Sequence, residues 1–318
     1  MSSIKDIKSI CIYGTGGVGG YYGGLIAEQL HLNSQKGEVY FIARGEHLEA
    51  IRKNGIQVRT PERIIHSTPN KATDNFRDIP QPDLVFLCTK SYDLDAAVAS
   101  IKENIKEDTV IIPLVNGVDI YQRIRHKLQT TIVLPSCVYL GTHIESPGII
   151  SQNGGNGIIL SGKDPRYPDY DAENLQQFFD KTGIGFSFQP DPYPAIWEKY
   201  IFIASFGLVT ACYGRTLGEV MEDGELRSKV LGIVREIVSI AGEKAVSLPA
   251  DIVERTMNKA SNFPYETHTS YQRDVESWPK PNEGDLYGGT IIREGAASFV
   301  PTPVTESVYS RILRQIQM

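Results

Sequence analysis

A glycine-rich segment near the start of the chain has the clearest chemistry. Gly14-Thr15-Gly16-Gly17-Val18-Gly19 has the GxGxxG spacing, between an apolar strand pattern at 9–13 and a helical pattern of apolar residues at Leu25, Ile26 and Leu30. In this context the first glycine permits a tight turn, the second lets the backbone approach a pyrophosphate, and the third packs the helix on the strand. The segment predicts a dinucleotide site at a helix N-terminus. A glycine-rich turn without a ligand is the alternative.

The residue after the next predicted strand indicates which dinucleotide binds. Val39–Ala43 is a buried strand pattern, and Arg44 follows it. NAD sites usually carry an acidic residue here for the ribose 2′-hydroxyl, whereas an arginine suits a 2′-phosphate. The sequence therefore predicts NADP(H) as the cofactor. The alternative is that Arg44 is an ordinary surface residue at a strand end.

Two polar residues follow the later apolar strands of the same pattern. Lys90 comes after the strand at 84–89, and Asn116 comes after the strand at 110–115. Because ligands bind at the carboxyl ends of the strands in such sheets, both are candidate site residues. The alternatives are a solvated loop lysine and an asparagine that suits a turn.

Lys199 lies in the first turns of a strongly apolar helical segment. An unpaired charge is costly there. Either the ammonium group reaches water along its flexible side chain, or it faces a pocket, where burial lowers the pKa of a lysine. The second arrangement suits a general acid at neutral pH.

The elements that must position these residues form an α/β pattern, an N-terminal Rossmann-type doubly wound sheet with a C-terminal all-helical domain. Three prolines at 190–194 mark a linker, so the predicted domains are an NADP-binding domain at 1–189 and a helical substrate and catalytic domain at 190–318. Further expected elements are a hairpin at 56–60 and 63–66, a helix at 94–105, strands at 132–140, 149–152, 157–160 and 183–188, and helices at 226–241 and from Pro303.

Composition limits the classes of partner. The 318 residues carry a net charge of −6 with both signs mixed, which argues against nucleic acid or an anionic membrane as a partner. No apolar run approaches the roughly 20 residues of a membrane span, and the N-terminus lacks the long apolar core of a signal peptide. The expected location is cytoplasmic. The oligomeric state is open, with a homodimer as one option.

The four cysteines and six histidines are scattered along the chain. The cysteines lie in or beside apolar runs, so they are expected to be core residues rather than disulfides or ligands. No pair has the spacing of a metal site, so no metal is predicted.

Several motifs in one order resemble the ketopantoate reductase (2-dehydropantoate 2-reductase) family over nearly the whole chain. The segments that carry the resemblance are Gly14–Gly19, Arg44, Thr89-Lys90-Ser91, Val115-Asn116-Gly117-Val118, Trp197-Glu198-Lys199, 269–274 and 283–289. The resemblance implies an NADPH-binding Rossmann domain, a helical domain and a small 2-oxo acid substrate in the cleft.

The same resemblance implies a role for each site residue. Lys199 matches the catalytic lysine, the general acid that protonates the forming alkoxide, and Glu283 matches the catalytic-site acid that holds the substrate's hydroxyl end. Ser270 matches a substrate-contacting serine, Asn116 an asparagine beside nicotinamide and substrate, and Lys90 a lysine of the cofactor cleft. From the residues alone, Glu283 is equally well a solvated loop residue and Ser270 a helix cap.

One position departs from the family pattern. Family members commonly have an asparagine one turn after the lysine, where this chain has Ile203. Ketopantoate carries a hydroxyl group that an isoleucine cannot bind, so either Ser205 or Tyr271 substitutes, or the substrate is another 2-oxo acid. The expected function is NADPH-dependent reduction of ketopantoate to pantoate in pantothenate biosynthesis. The alternatives are a reductase of a different 2-oxo acid and a non-catalytic NADPH-binding sensor.

Overall fold

The computed structural model describes residues 7–32 and 37–317 and divides the chain into two compact units. The first comprises the residues up to Val115 together with Ile120–Pro192, and the second comprises Asn116–Asp119 and the residues from Tyr193 onwards. That the first binds cofactor and the second binds substrate stays a prediction.

Among the described residues, the first unit contains eleven strands and five α-helices. Its strands are β1 (Ser9–Tyr13), β2 (Glu38–Ile42), β3 (Ile56–Arg59), β4 (Ile64–Ser67), β5 (Lys71–Thr73), β6 (Leu84–Leu87), β7 (Val110–Pro113), β8 (Ile132–Val133), β9 (Ser136–Ser146), β10 (Ile149–Gly162) and β11 (Phe186–Gln189). Its helices are α1 (Gly17–Leu32), α2 (Gly45–Asn54), α3 (Leu94–Lys102), α4 (Ile120–Lys127) and α5 (Glu173–Thr182).

A parallel sheet in the order β5-β2-β1-β6-β7-β8 forms the centre of this unit. The strand order reverses on the two sides of β1, which is the Rossmann arrangement, and ligands bind at that reversal. Strands β6 and β7 are buried along their whole length, as expected for a parallel sheet covered on both faces. The predicted Rossmann fold is confirmed.

A second sheet, β11-β10-β3-β4 with β9 paired to β10, was not predicted as a separate sheet. The predicted hairpin is confirmed as the antiparallel pair β3 and β4. The strand expected at 132–140 is wrong: it is two strands in different sheets, β8 and β9, separated at Pro135, which has no N–H for a ladder. The two strands expected at 149–152 and 157–160 are one strand, β10, with an irregular register where Gly155 and Gly157 have positive φ.

The second unit is helical in its described residues. Its helices are α6 (Tyr193–Tyr213), α7 (Leu217–Glu222), α8 (Gly224–Glu243), α9 (Ile252–Lys259), α10 (Ser270–Glu276), α11 (Thr290–Ala297) and α12 (Pro303–Gln317), and a π-helical turn spans Asp285–Gly289. The long helix predicted at 226–241 and the closing helix from Pro303 are confirmed as α8 and α12. The buried Glu236 of α8 accepts hydrogen bonds from the backbone N–H groups of Val304 (2.7 Å) and Thr305 (3.0 Å), which satisfies the first turn of α12.

Helix α6 is the central helix of this unit and packs against α8, α10 and α12. By length and composition it is apolar enough to cross a membrane, which the sequence did not lead us to expect, but 78% of its most apolar stretch is buried in the structure. A helix that is hydrophobic all round and buried among other helices is typical of a core element.

Candidate functional site

The glycine-rich segment forms a tight connection from β1 into α1. Gly14 has a φ of +91°, and a Cβ there would lie 3.0 Å from the carbonyl oxygen of Cys88. A Cβ on Gly19 would lie 1.9 Å from the carbonyl oxygen of Gly14, so only glycine lets α1 approach β1 this closely. Gly16 differs from both, because no atom lies within 4 Å of the position of its Cβ. The segment therefore presents open backbone at Gly16 and close packing on either side.

Three buried threonine hydroxyls lie around this segment and bear on whether it suits a phosphate group. The hydroxyls of Thr15, Thr89 and Thr142 have no hydrogen-bond partner among the described residues. The backbone of Thr89 lies beside Gly14, and that of Thr142 beside Gly17. Buried hydroxyls are normally paired, and phosphate oxygens would accept from them and from the first amides of α1. These residues fit the pyrophosphate of a dinucleotide.

The other predicted cofactor residues lie at the carboxyl ends of the strands beside β1. Arg44 follows β2 and is the N-cap residue of α2, with its side chain 62% exposed. Lys90 is exposed after β6 and accepts, through its carbonyl, a hydrogen bond from the N–H of Asp93 at 3.0 Å. Since β1 pairs with β2 on one side and β6 on the other, the glycine segment, Arg44 and Lys90 flank one edge of the sheet.

His47, in the first turn of α2, is a residue that the sequence reasoning missed. Its Nε2 lies 2.8 Å from the carbonyl oxygen of Thr15, and the N–H of Gly148 donates to its Nδ1 at 3.0 Å. The backbone donor requires Nδ1 to be unprotonated, so Nε2 carries the hydrogen and donates to Thr15. Burial lowers the pKa of His47, opposed in part by the bond to Thr15. Neutral His47 thus ties the glycine segment to α2 and to the β9–β10 turn.

We expect the unfolding free energy to fall as the pH is lowered below the ordinary histidine value of about 6.5. The lowered pKa means that the unfolded chain binds the proton more readily, so this contribution to stability is present above that value and is lost on acidification. The slope is at most about 1.4 kcal/mol per pH unit. Thermal unfolding between neutral and mildly acidic pH should show a smaller loss for His47→Gln than for the wild type. The exposed His126 supplies the control His126→Gln, and identical pH profiles for all three proteins would contradict the prediction.

In the second unit, Lys199 and Asn116 meet although they are far apart in the sequence. The ammonium Nζ of Lys199 donates to Oδ1 of Asn116 at 2.6 Å, and both residues are half-buried. A charge-assisted bond of this length fixes the direction of the ammonium group. The ammonium has three hydrogens and can donate to more than one oxygen at a time.

Glu283 lies next to a segment that is bound to the same helix as Lys199. The hydroxyl of Tyr200 donates to the carbonyl of Leu286 at 2.6 Å, which ties α6 to the π-helical turn. The N–H of Tyr287 donates to the carbonyl of Glu283 at 3.2 Å. Glu283 is only 5% exposed, so it is not the solvated loop residue of the alternative interpretation.

Ser270 is the first residue of α10 and is exposed. The alternative that it caps this helix is wrong, because the N-cap is Thr269, whose hydroxyl accepts from the N–H of Gln272 at 3.2 Å. The hydroxyl oxygen of Ser270 lies 3.4 Å from that of Tyr287. Ser270 is therefore free of a capping role and stands beside the segment that follows Glu283.

The α6 face beyond Lys199 is apolar. Ile203, one turn further, is half-buried, and a Cβ on Gly207 would lie 3.5 Å from the Cβ of Tyr271. Ser205 is fully buried and donates its hydroxyl to the carbonyl of Ile201 at 2.7 Å. Ser205 is thus satisfied inside its own helix, and Tyr271 is 1% exposed, with its ring 4.9 Å from that of Tyr287. Ser205 is therefore not placed to replace an asparagine at 203, whereas the buried hydroxyl of Tyr271 has no hydrogen-bond partner among the described residues and lies beside Gly284.

The cysteines do not form a reactive or metal-binding group. None of the four forms a disulfide, and Cys11, Cys137 and Cys212 are buried. Burial raises the pKa of the Cys11 thiol well above its ordinary value, which disfavours the reactive thiolate. In the part of the chain that the structure describes, no three His, Cys, Asp or Glu side chains are grouped as metal ligands.

Comparison with known proteins agrees with the fold and the motifs. The family model described as ketopantoate reductase PanE/ApbA matches residues 10–165, and the model of its C-terminal part matches residues 192–317. The chain belongs to the ketopantoate reductase family. Membership makes it an oxidoreductase.

Named members of the family are similar over most of their length. A 2-dehydropantoate 2-reductase of Pyrococcus horikoshii is 27% identical over 287 residues, which cover 89% of each chain. The crystal structure of a 2-dehydropantoate 2-reductase from Porphyromonas gingivalis is 28% identical, with a TM-score of 0.82 over 97% of this chain and 100% of that one. A PanE/ApbA family ketopantoate reductase from Ralstonia eutropha is 25% identical, with a TM-score of 0.86 over 97% and 98%.

Proposed function

We propose that this protein reduces a small 2-oxo acid to the 2-hydroxy acid with NADPH. The first candidate substrate is 2-dehydropantoate (ketopantoate), which would give pantoate in pantothenate biosynthesis. The observation that carries the proposal is the ammonium of Lys199, directed by Asn116 at 2.6 Å in a half-buried position. The names of the relatives, 2-dehydropantoate 2-reductases, support the substrate class. A cytoplasmic location and a homodimer stay predictions.

The proposed reduction requires two groups from the chain itself, a proton donor for the ketone oxygen and a group that binds the other end of the substrate. The bound NADPH would supply the hydride. Lys199 stabilises the negative charge that develops on the substrate's ketone oxygen and then donates a proton to it, and Asn116 holds the ammonium in position for both. The buried carboxylate of Glu283 would accept a hydrogen bond from a hydroxyl at the other end of the substrate.

Arg44, with Lys90 and the glycine segment, is proposed to hold the adenosine and phosphate groups. We expect Arg44→Ala to raise the Kd for NADPH by about 10- to 100-fold, since a charge-assisted contact with the 2′-phosphate is lost. The Kd for NADH should change less than about threefold, because NADH has no such phosphate. Fluorescence titration with both dinucleotides measures the two values. Equal losses for both would show that Arg44 does not bind the 2′-phosphate.

The substrate is tested with two acids that differ by one hydroxyl group, ketopantoate and 3,3-dimethyl-2-oxobutanoate. A site that binds the hydroxyl, through Glu283, rejects the analogue that lacks it by about 10⁴-fold or more in kcat/KM. A site in which the apolar face at Ile203 decides the choice turns over both acids with similar kcat/KM, and ketopantoate is then not its specific substrate. NADPH consumption with both acids, and with a panel of 2-oxo acids, separates these cases. Tight NADPH binding without turnover of any acid would support the sensor alternative instead.

A further inference from the structure

An ion pair extends across the carboxyl end of β1. Nη1 of Arg44, after β2, lies 3.7 Å from Oδ1 of Asp93, which follows β6. Because β1 lies between β2 and β6, the pair passes over the strand that leads into the glycine segment. The guanidinium that is proposed to bind the 2′-phosphate therefore already faces a carboxylate of the same chain.

Asp93 is held in place by its own turn. Its N–H donates to the carbonyl of Lys90 at 3.0 Å, and Nη2 of Arg123 donates to the carbonyl of Ser91 at 3.1 Å. Arg44 is more exposed than Asp93, with side chains 62% and 42% exposed. The backbone that carries the Asp93 carboxylate is thus held by its turn, and the longer and more exposed arginine side chain is the one that can turn towards a ligand.

We propose that Asp93 competes with the 2′-phosphate of NADPH for Arg44 and so sets the cofactor preference. The proposal rests on the proposed NADPH site. To bind the phosphate, the guanidinium has to leave the carboxylate or share its charge with it, and the carboxylate also repels the phosphate. NADH makes no such demand on Arg44. Asp93 therefore weakens NADPH binding more than NADH binding. It thereby narrows the difference between the protein's affinities for the two cofactors.

The structure allows Asp93 to be changed with little other consequence. It occupies the N-cap position of α3, but its side chain makes no capping hydrogen bond there. Asp95, in the first turn of the same helix, carries the same charge and pairs instead with Lys127 at 3.2 Å. Asp93→Asn and Asp95→Asn thus remove equal charge two residues apart, and only the first touches Arg44.

The test is a fluorescence titration of the wild type, Asp93→Asn and Asp95→Asn with NADPH and with NADH. Exposed ion pairs are weak, so we expect Asp93→Asn to lower the Kd for NADPH by about 3- to 5-fold. The Kd for NADH should change less than about twofold, and Asp95→Asn should match the wild type within the same limit. The gain should shrink as salt is added, because screening weakens the exposed pair in the wild type.

A second comparison isolates the competition for Arg44 from general repulsion of the phosphate. In an Arg44→Ala background, no guanidinium is left for which Asp93 and the phosphate can compete. Asp93→Asn should therefore lower the logarithm of the Kd for NADPH by less than half as much there as it does in the wild type. The inference is overturned if the gain persists in full there, if NADH gains equally, or if Asp95→Asn gains as much. Failure of the wild type to bind NADPH at all would refute the proposed function and this inference with it. NADPH binding that Asp93→Asn leaves unchanged refutes the inference alone.

Discussion

Replacing Lys199 by alanine will lower kcat by about 10²- to 10⁴-fold, the range that one well-placed general acid contributes. The lost group is the ammonium that Asn116 directs, and no side chain of the apolar face at Ile203 or Gly207 can donate a proton in its place. The Kd for NADPH should stay within about threefold of the wild type, because the residues proposed to hold the adenosine and phosphate groups (Arg44, Lys90 and the glycine segment) belong to the other unit. Initial rates at saturating substrate and a fluorescence titration with NADPH measure the two quantities.

Two further variants make the result specific to proton donation. Lys229→Ala removes the same charge from α8 of the same unit, where Lys229 pairs with Glu225 at 3.2 Å, and should keep the wild-type kcat. Lys199→Arg keeps a positive charge but carries a guanidinium that does not give up its proton at neutral pH, so it should recover little of the lost rate. Wild-type turnover by Lys199→Ala would remove the lysine from the mechanism.

The parts of the fold that followed from the sequence are those fixed by local pattern. Strands β6 and β7 are buried along their whole length, so each is a short continuous apolar run bounded by polar residues. The glycine segment and Arg44 are separated by one helix and one strand, and the roles proposed for them rest on residue type and position alone. The second sheet did not follow, because it joins β3 to β10, whose paired residues are about ninety positions apart (Gln57 with Ile149).

The parts of the site that sequence reasoning missed depend on distant partners. Asn116 and Lys199 are 83 residues apart, and no spacing rule indicates that one bonds to the other. His47 accepts a hydrogen bond from the N–H of Gly148, 101 residues away. The sequence alone shows only a histidine in a first helical turn. At Ser270 only the alternative interpretation, a helix cap, was wrong, since two adjacent hydroxyl residues, Thr269 and Ser270, both suit an N-cap and only the backbone decides between them.

Alanine substitutions in the glycine segment should have the second large effect. At two of its glycines we expect them to change stability and NADPH affinity in different ways. In Gly19→Ala the new methyl would lie 1.9 Å from the carbonyl oxygen of Gly14, a contact with backbone that cannot be relieved without moving the segment or α1. We expect the unfolding free energy to fall by about 2–3 kcal/mol, the cost of overpacking a tight site. NADPH affinity should fall more than about 100-fold, because the backbone amides of the segment lose their common direction.

Gly16→Ala is the matched comparison, because no atom lies within 4 Å of its Cβ position and its φ is not in the left-handed region. Its stability should equal or slightly exceed that of the wild type, since alanine restricts the unfolded chain more than glycine does. The methyl nevertheless enters the open space proposed for the pyrophosphate, so the Kd for NADPH should rise by about 10- to 100-fold. Thermal unfolding and NADPH titration of both variants separate the two effects. If Gly16→Ala bound NADPH as the wild type does, the phosphates would have to lie elsewhere, and the glycine segment would be a packing device rather than a cofactor site.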